Sequence, residues 1–361
     1  MTPHLYRMLD LARWAPSGDN AQPWRFEVLG DEHLLIHGFD TREHVVYDLD
    51  GHASQLAHGA LIENLAIAAT GQGRRAMVTR RPDTADTALR FDVTFEPAPN
   101  ATPDPLAAHI ENRAVQRRTM STQALTSQQK QLLAAALPPG YAVIWYEGWA
   151  GRWLMAKLCF DNAKIRLTIP EAFAVHRTIF EWHARYSEDK IPDQAIGADP
   201  ISLWFMQWAL ASWPRVKFLN TWLWGDLPPR LQLDLLPGLM CAAHFALLAP
   251  KALLTIDDYV SAGRAMQRFW LTAESLGLLV QPEMTPVIFS RYHREQRHFT
   301  VNPAAAALAG KLNGRLAATL HGAHPDRLLF LGRIGSGPAP RARSTRKPVE
   351  ALLVLPKPAA R

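Results

Sequence analysis

Two stretches of this chain, "GALIENLAIAATGQG" from Gly59 and "GRAMQRFWLTAESLG" from Gly263, are built to one measure. Gly59 is followed by Glu63, Ala69 and Gly73, and Gly263 by Gln267, Ala273 and Gly277, with an offset of 204 throughout. Each stretch is apolar nearly all round and stops at glycine, the pattern of a long buried helix. A helix with no polar face needs its own shell of partners. The repeat therefore predicts two tandem halves, each wrapped around one central helix.

A weaker echo pairs "LARWAPSGDN" with "AAALPPGYAV", in which Pro16 and Gly18 correspond to Pro138 and Gly140 at an offset of 122. The later half then carries about 82 extra residues, inserted somewhere in 148–260. In the first half, Leu5, Met8, Ala12 and Ala15 recur at helical spacing until Pro16. "WRFEVLGDEHLLIHGF" reads as a hairpin turning at Gly30-Asp31, and "LRFDVTF" (Leu89 to Phe95) as a further strand. "EPAPNATPDP" (Glu96 to Pro105), with four prolines, reads as a linker. These signals give an α+β chain with halves at 1–100 and 101–361 and a Trp-rich insertion at about 195–235.

With 361 residues and 48% of them apolar, the chain can fill a large core. Cys159 and Cys241 stand alone, which excludes a disulfide framework and a cysteine zinc site and suits a reducing cytoplasm. The first residues lack a signal-peptide pattern, and the longest apolar run, Leu235 to Pro250, is too short to span a bilayer. The net charge of +6 favours anionic ligands, and its two clusters are "ENRAVQRRTM" (Glu111 to Met120) and "RARSTRKP" (Arg341 to Pro348). Neither cluster has the interleaved aromatics or recognition helix of a nucleic-acid surface, so no nucleic-acid partner is expected.

The turn "APSGDNAQPWRF" crowds small, amide and proline residues between a helix and a strand. It resembles the S-P-S-x-x-N-x-Q-P-W-x-F loop of the FMN-dependent nitroreductase superfamily. "NRAVQRR" is similar to that family's R-R-S-x-R segment, "SAGRAMQRFWLTAESLGLLVQP" to its central helix and following loop, and "RSTRKPVEALL" to its closing basic segment. The resemblance implies a nitroreductase-like fold in which each half has a mainly antiparallel sheet flanked by helices. In ordinary members two identical subunits share each flavin. Here the amide turn lies only in the first half and the arginine, post-helix and terminal segments only in the second, so the resemblance implies a fused pseudo-dimer with one retained FMN site. Such a chain is expected to act as a monomer, with no partner needed to complete the site.

The site residues follow from the same resemblance. A flavin needs apolar packing for its benzenoid end and amides or hydroxyls for its pyrimidine end, which Pro16, Ser17, Asn20, Gln22 and Trp24 supply. The bland alternative is a polar turn in which Ser17 and Asn20 bond their own backbone. Arg113, Arg117, Arg343 and Arg346 are assigned to the phosphate, with Val115 standing where the family has a serine. Arg118 and Lys347 read as solvated. Gln281, Pro282 and Glu283 would bring backbone near the hydride-accepting atom. The expected activity is hydride transfer from NAD(P)H through FMN to a small electron-poor or conjugated substrate. A flavin-holding protein without turnover and a biosynthetic flavin dehydrogenase are the alternatives, since all three need one pocket.

The insertion holds Trp204, Trp208, Trp213, Trp222 and Trp224. Their helical spacing favours core packing over a lid above the flavin. A membrane-surface helix is disfavoured because only Arg215 and Lys217 supply a cationic face. His321 and His324 lack the third ligand of a metal site.

Overall fold

The structure is a computed structural model that describes residues 1–354. It combines helices with two antiparallel four-stranded sheets. The early sheet holds β1 (Trp24–Gly30), β2 (His33–Gly38), β3 (Arg74–Arg80) and β4 (Arg90–Pro97) in the order β1-β2-β4-β3. The late sheet holds β5 (Ala142–Glu147), β6 (Ala243–Leu248), β7 (Leu279–Pro282) and β8 (Leu328–Gly335) in the order β5-β6-β8-β7. One strand order thus occurs twice. A long helix separates the second and third strands of each sheet: His52–Thr70 early and Ile256–Ser275 late.

The two central helices cross against each other, and the repeat glycines sit at the crossing. A Cβ at Gly59 would overlap the Val260 carbonyl, and one at Gly263 would overlap the Leu56 carbonyl. Only glycine allows backbones this close. Beyond the crossing, Gln267 Nε2 donates to Asn64 Oδ1 at 2.7 Å, and Arg264 and Arg268 bind the Glu63 carboxylate. Gly73 and Gly277 end the two helices in the same left-handed conformation, with φ of 62° and 68°. Around the crossing, Trp24, Phe26 and Phe91 of the early sheet pack in one apolar cluster with Phe245, Phe269 and Trp270 of the late part.

The hairpin turns where its composition places it, between Gly30 and His33. The first helix is shorter than its apolar spacing suggests, Pro3–Ala12, because Pro16 disfavours helix at Ala15 and the chain leaves before it. β4 runs into the proline-rich stretch as far as Pro97. The connection between the first two strands is residues 31–32 in the early sheet and 148–242 in the late one, which locates the extra chain.

Two excursions bring late segments to the early turn. The chain after Ser336 returns to the early half, where Leu353 bridges Phe26 and the Val354 N–H donates to the Phe26 carbonyl at 2.7 Å. Within the insertion, Tyr186–Ser187 pairs in parallel with Arg343–Ser344. Residues 186–190 and 343–347 therefore lie together over the early turn.

Candidate functional site

The turn is strained in a way its composition permits. Asp19, Asn20 and Gln22 all have positive φ, at 49°, 62° and 49°. Asn and Asp tolerate this region better than other residues, and such strain concentrates where function over-determines the backbone. Ser17 holds the turn closed, its hydroxyl accepting from the Gln22 N–H at 3.0 Å. To that extent the turn is a structural device. Asn20, however, donates its amide to the carbonyls of Glu188, Lys190 and Thr345, and Gln22 donates to Glu188 at 2.7 Å while accepting from the Lys347 N–H. The amide groups thus face the late segments. Trp24 does not: it is fully buried in the core cluster.

The arginines converge on the start of the same turn. Arg113 donates to the Trp14 carbonyl at 3.1 Å, Arg346 to the Ala15 carbonyl at 3.0 Å, and Arg343 to the carbonyls of Glu111 and Asn112. Arg343 also lies over the Trp14 ring, and Arg113 over Trp270. Among the described residues, no carboxylate pairs with Arg113, Arg343 or Arg346, and Arg113 Nε is buried with no partner. Burial pulls the Arg113 guanidinium down to about 9, helped by the charge of Arg343 and opposed by Glu274. Arg346 falls well below the usual range through burial and the charges of Arg113, Arg343 and Arg13. Crowded, desolvated cations without a bonded acid are costly to hold, and an anion between them would relieve the cost.

Arg117 stands apart from this cluster, donating to the Ala195 carbonyl at 3.2 Å. Beside it lies a partly open hollow. Asp19, Tyr47, Arg117, Arg166 and His176 are densely surrounded, yet each keeps accessible surface. Asp19 and Tyr47 face a pocket of about 230 Å³ that opens to solvent and is lined also by Asp48, Ser54, Val175 and Lys190. Burial pushes the Asp19 carboxyl up to about 6 against the pull of Arg117, with Asp48 adding to the rise. Burial likewise brings Arg117 down to about 10 and, aided by Arg166, His176 down to about 3.

The post-helix loop lies against the arginine segment. Val115 bridges Val280, and the Gln116 N–H donates to the Val280 carbonyl, so the arginine segment runs beside β7. Gln281 Oε1 is buried and unpartnered. Pro282 has no N–H to offer, and the Glu283 N–H is taken by the Leu331 carbonyl at 2.8 Å. The Glu283 side chain instead joins a buried group, binding His244 Nδ1 at 2.7 Å and Arg333 at 3.1 Å. Burial alone would lower the His244 pKa, but Glu283 outweighs it and lifts it to about 10.

A larger cavity of about 880 Å³ shares Val115 and Gln116 with the arginine segment and is lined also by Asp193, Trp204, Gln207 and the prolines at 338 and 340. Trp204 is the one tryptophan of the insertion on its wall. The expected core role of the Trp-rich stretch is corrected: Trp204, Trp208, Trp222 and Trp224 are 67%, 40%, 71% and 73% exposed, and only Trp213 is half-buried, against Phe173. His324 is exposed, and no cluster of metal-ligating side chains occurs among the described residues. No helix among them is long and apolar enough to cross a membrane.

Four features of this site have no signal in the sequence: the hollow behind Asp19, the cover of Glu188 to Lys190 over the amides, the His244–Glu283–Arg333 group and the outward Trp face.

No family model matches the chain. Uncharacterized proteins from two strains of Mycobacterium tuberculosis are each 36% identical to it over 115 residues, 30% of this chain and 32% of theirs, so the match spans about a third of the relatives' length. A solved nitroreductase-like family protein from Bacillus cereus superposes with a TM-score of 0.34 and 13% identity, covering 71% of this chain and 98% of that one.

Proposed function

We propose that the chain is an FMN-binding oxidoreductase that passes hydride between NAD(P)H and a small electron-poor or conjugated acceptor. One observation carries the reading: Arg113 and Arg346 donate to the backbone at the start of the amide turn, Arg343 lies beside them over the Trp14 ring, and among the described residues no carboxylate bonds any of the three. That donor set fits a phosphate, since guanidinium forks match its charge and geometry. The unpartnered Arg113 Nε, Asn20 Oδ1 and Gln281 Oε1 supply buried polar atoms with bonds still to make. FMN, when bound, supplies the hydride chemistry.

The chain's own residues would then grip, orient and protonate. Arg113, Arg343 and Arg346 would hold the anionic end, and Asn20 and Gln22 would position the polar groups beside them. Asp19, facing the hollow at a proton affinity close to neutrality, is the group able to give a proton to a reduced acceptor.

The contacts of Glu188 and Lys190 with Asn20 and Gln22 favour a second reading, in which this segment straps the flavin in place and limits turnover. Anaerobic addition of NADPH or NADH to the FMN-loaded protein separates the two. Bleaching within the mixing and turnover time supports the oxidoreductase. A flavin colour that persists for hours supports the strapped holder and sinks the enzymatic reading.

A further inference from the structure

The helices Pro200–Leu210 and Trp213–Trp222 invert the usual arrangement of a surface helix. In the first, Ile201, Trp204, Phe205 and Trp208 form one stripe at helical spacing, and all four are exposed, Ile201 at 80%, with Trp204 also lining the larger cavity. In the second, Phe218 and Trp222 continue the apolar surface. A loop follows in which Trp224 is held at a φ of 55° and left 73% exposed. Strained backbone that presents a large aromatic to solvent calls for an occupant.

The charge around the stripe selects the occupant. From Pro200 to Gly225 the chain has no acidic residue, and its only charges are Arg215 and Lys217, both exposed. Of the flanking acids, Asp226 pairs with Arg230 at 2.8 Å, while Asp199 is tied down as the cap of the first helix through the Ile201 and Ser202 N–H groups and stays ionised. Arg215 stacks on Trp208, its cation kept at the edge of the apolar stripe. Tryptophan has an apolar body and a polar tip and so favours the layer between lipid tails and water. An apolar, tryptophan-rich face bordered by cations matches the surface of an anionic bilayer.

We propose that this helical pair docks the protein peripherally onto anionic lipid surfaces, with Trp204, Trp222 and Trp224 entering the interface and Arg215 and Lys217 meeting the headgroups. This replaces the sequence expectation of no membrane partner, which rested on a cationic face of only Arg215 and Lys217: the exposed tryptophans supply the apolar anchor that expectation lacked. It is independent of the flavin reading.

The test is co-sedimentation of the full chain with vesicles of mixed phosphatidylglycerol and phosphatidylcholine, compared with pure phosphatidylcholine vesicles, alongside light scattering of the protein alone. We expect binding to the mixed vesicles with a blue shift of tryptophan emission. The exposed-site variant W222S/W224S should bind roughly tenfold more weakly or worse, with its far-UV spectrum and thermal transition unchanged. R215E/K217E should lose the preference for the anionic vesicles. No sedimentation with either vesicle overturns the proposal, as does equal binding to both vesicles. A wild type that scatters as a dimer, becomes monomeric in W222S/W224S and ignores vesicles also overturns it, assigning the face to a second copy of the chain.

Discussion

Replacing Asp19 with asparagine isolates the electrostatics of the hollow. Asparagine has nearly the same shape and accepts the left-handed backbone that Asp19 adopts, so only the ionisable proton is lost. In the folded protein, burial raises the Asp19 carboxyl from an ordinary 3.8 to about 6. Ionising it therefore costs the folded state more than the unfolded one. The stabilising share of the neutral carboxyl is complete below pH 3.8 and is lost as pH rises through about 6. At about 1.4 kcal/mol for each tenfold change in proton affinity, the loss approaches about 3 kcal/mol. Urea unfolding of wild type and Asp19→Asn without added flavin, run from pH 4 to pH 8, reads this directly. Every group that titrates in both proteins cancels in the difference. The variant should gain on the wild type by about 2.4 kcal/mol across that range, mostly between pH 4 and pH 6.5. A difference that stays flat with pH would mean that Asp19 is solvated and that no hollow surrounds it.

Arg113→Ala and Arg346→Ala should each weaken FMN retention by about 1.5–3 kcal/mol, the scale of a hydrogen bond to a charged group, measured by fluorescence titration; equal retention in both would move these arginines out of the site. Because Glu283, aided by Cys241, raises His244 to about 10, the stabilisation carried by the His244 proton beside an ionised Glu283 is complete below pH 6.5, as far down as Glu283 stays ionised, and is lost as pH rises through about 10. Glu283→Gln should cost about 3–5 kcal/mol near neutrality and flatten the alkaline limb of the stability profile; a variant with the wild-type profile would contradict the coupling. Gly263→Ala forces a methyl into the Leu56 carbonyl and should destabilise the fold by about 1–3 kcal/mol or more, whereas Gly314→Ala, where a Cβ meets nothing, should be neutral or stabilising in a thermal melt. Equal melting of the two would remove the close helix crossing.

What the sequence discloses and what it hides follow from the range of the interactions. The hairpin at Gly30 is local, written in alternating residues and a turn. The Gly59 and Gly263 repeat is legible because a close crossing demands glycine at a fixed place on both helices. The direction of the Trp stripe is hidden, since helical spacing defines a face and not what the face meets; the same spacing serves a core or an exposed surface. Asp19 is opaque for another reason. Its proton affinity depends on Arg117 and Asp48 and on the burial that the insertion provides. In the same way Asn20 and Gln22 carry amides that any polar turn could use, and only the folded chain brings Glu188, Thr345 and Lys347 to them.

The most direct measurement is equilibrium dialysis of the flavin-free protein against FMN and, in parallel, against riboflavin, which has the same ring and no phosphate. If the early turn and the late guanidiniums form one receptor, the protein takes up one FMN per chain, holds riboflavin far more weakly, and loses that distinction in Arg346→Ala. Uptake of neither compound, or equal affinity for both, contradicts it.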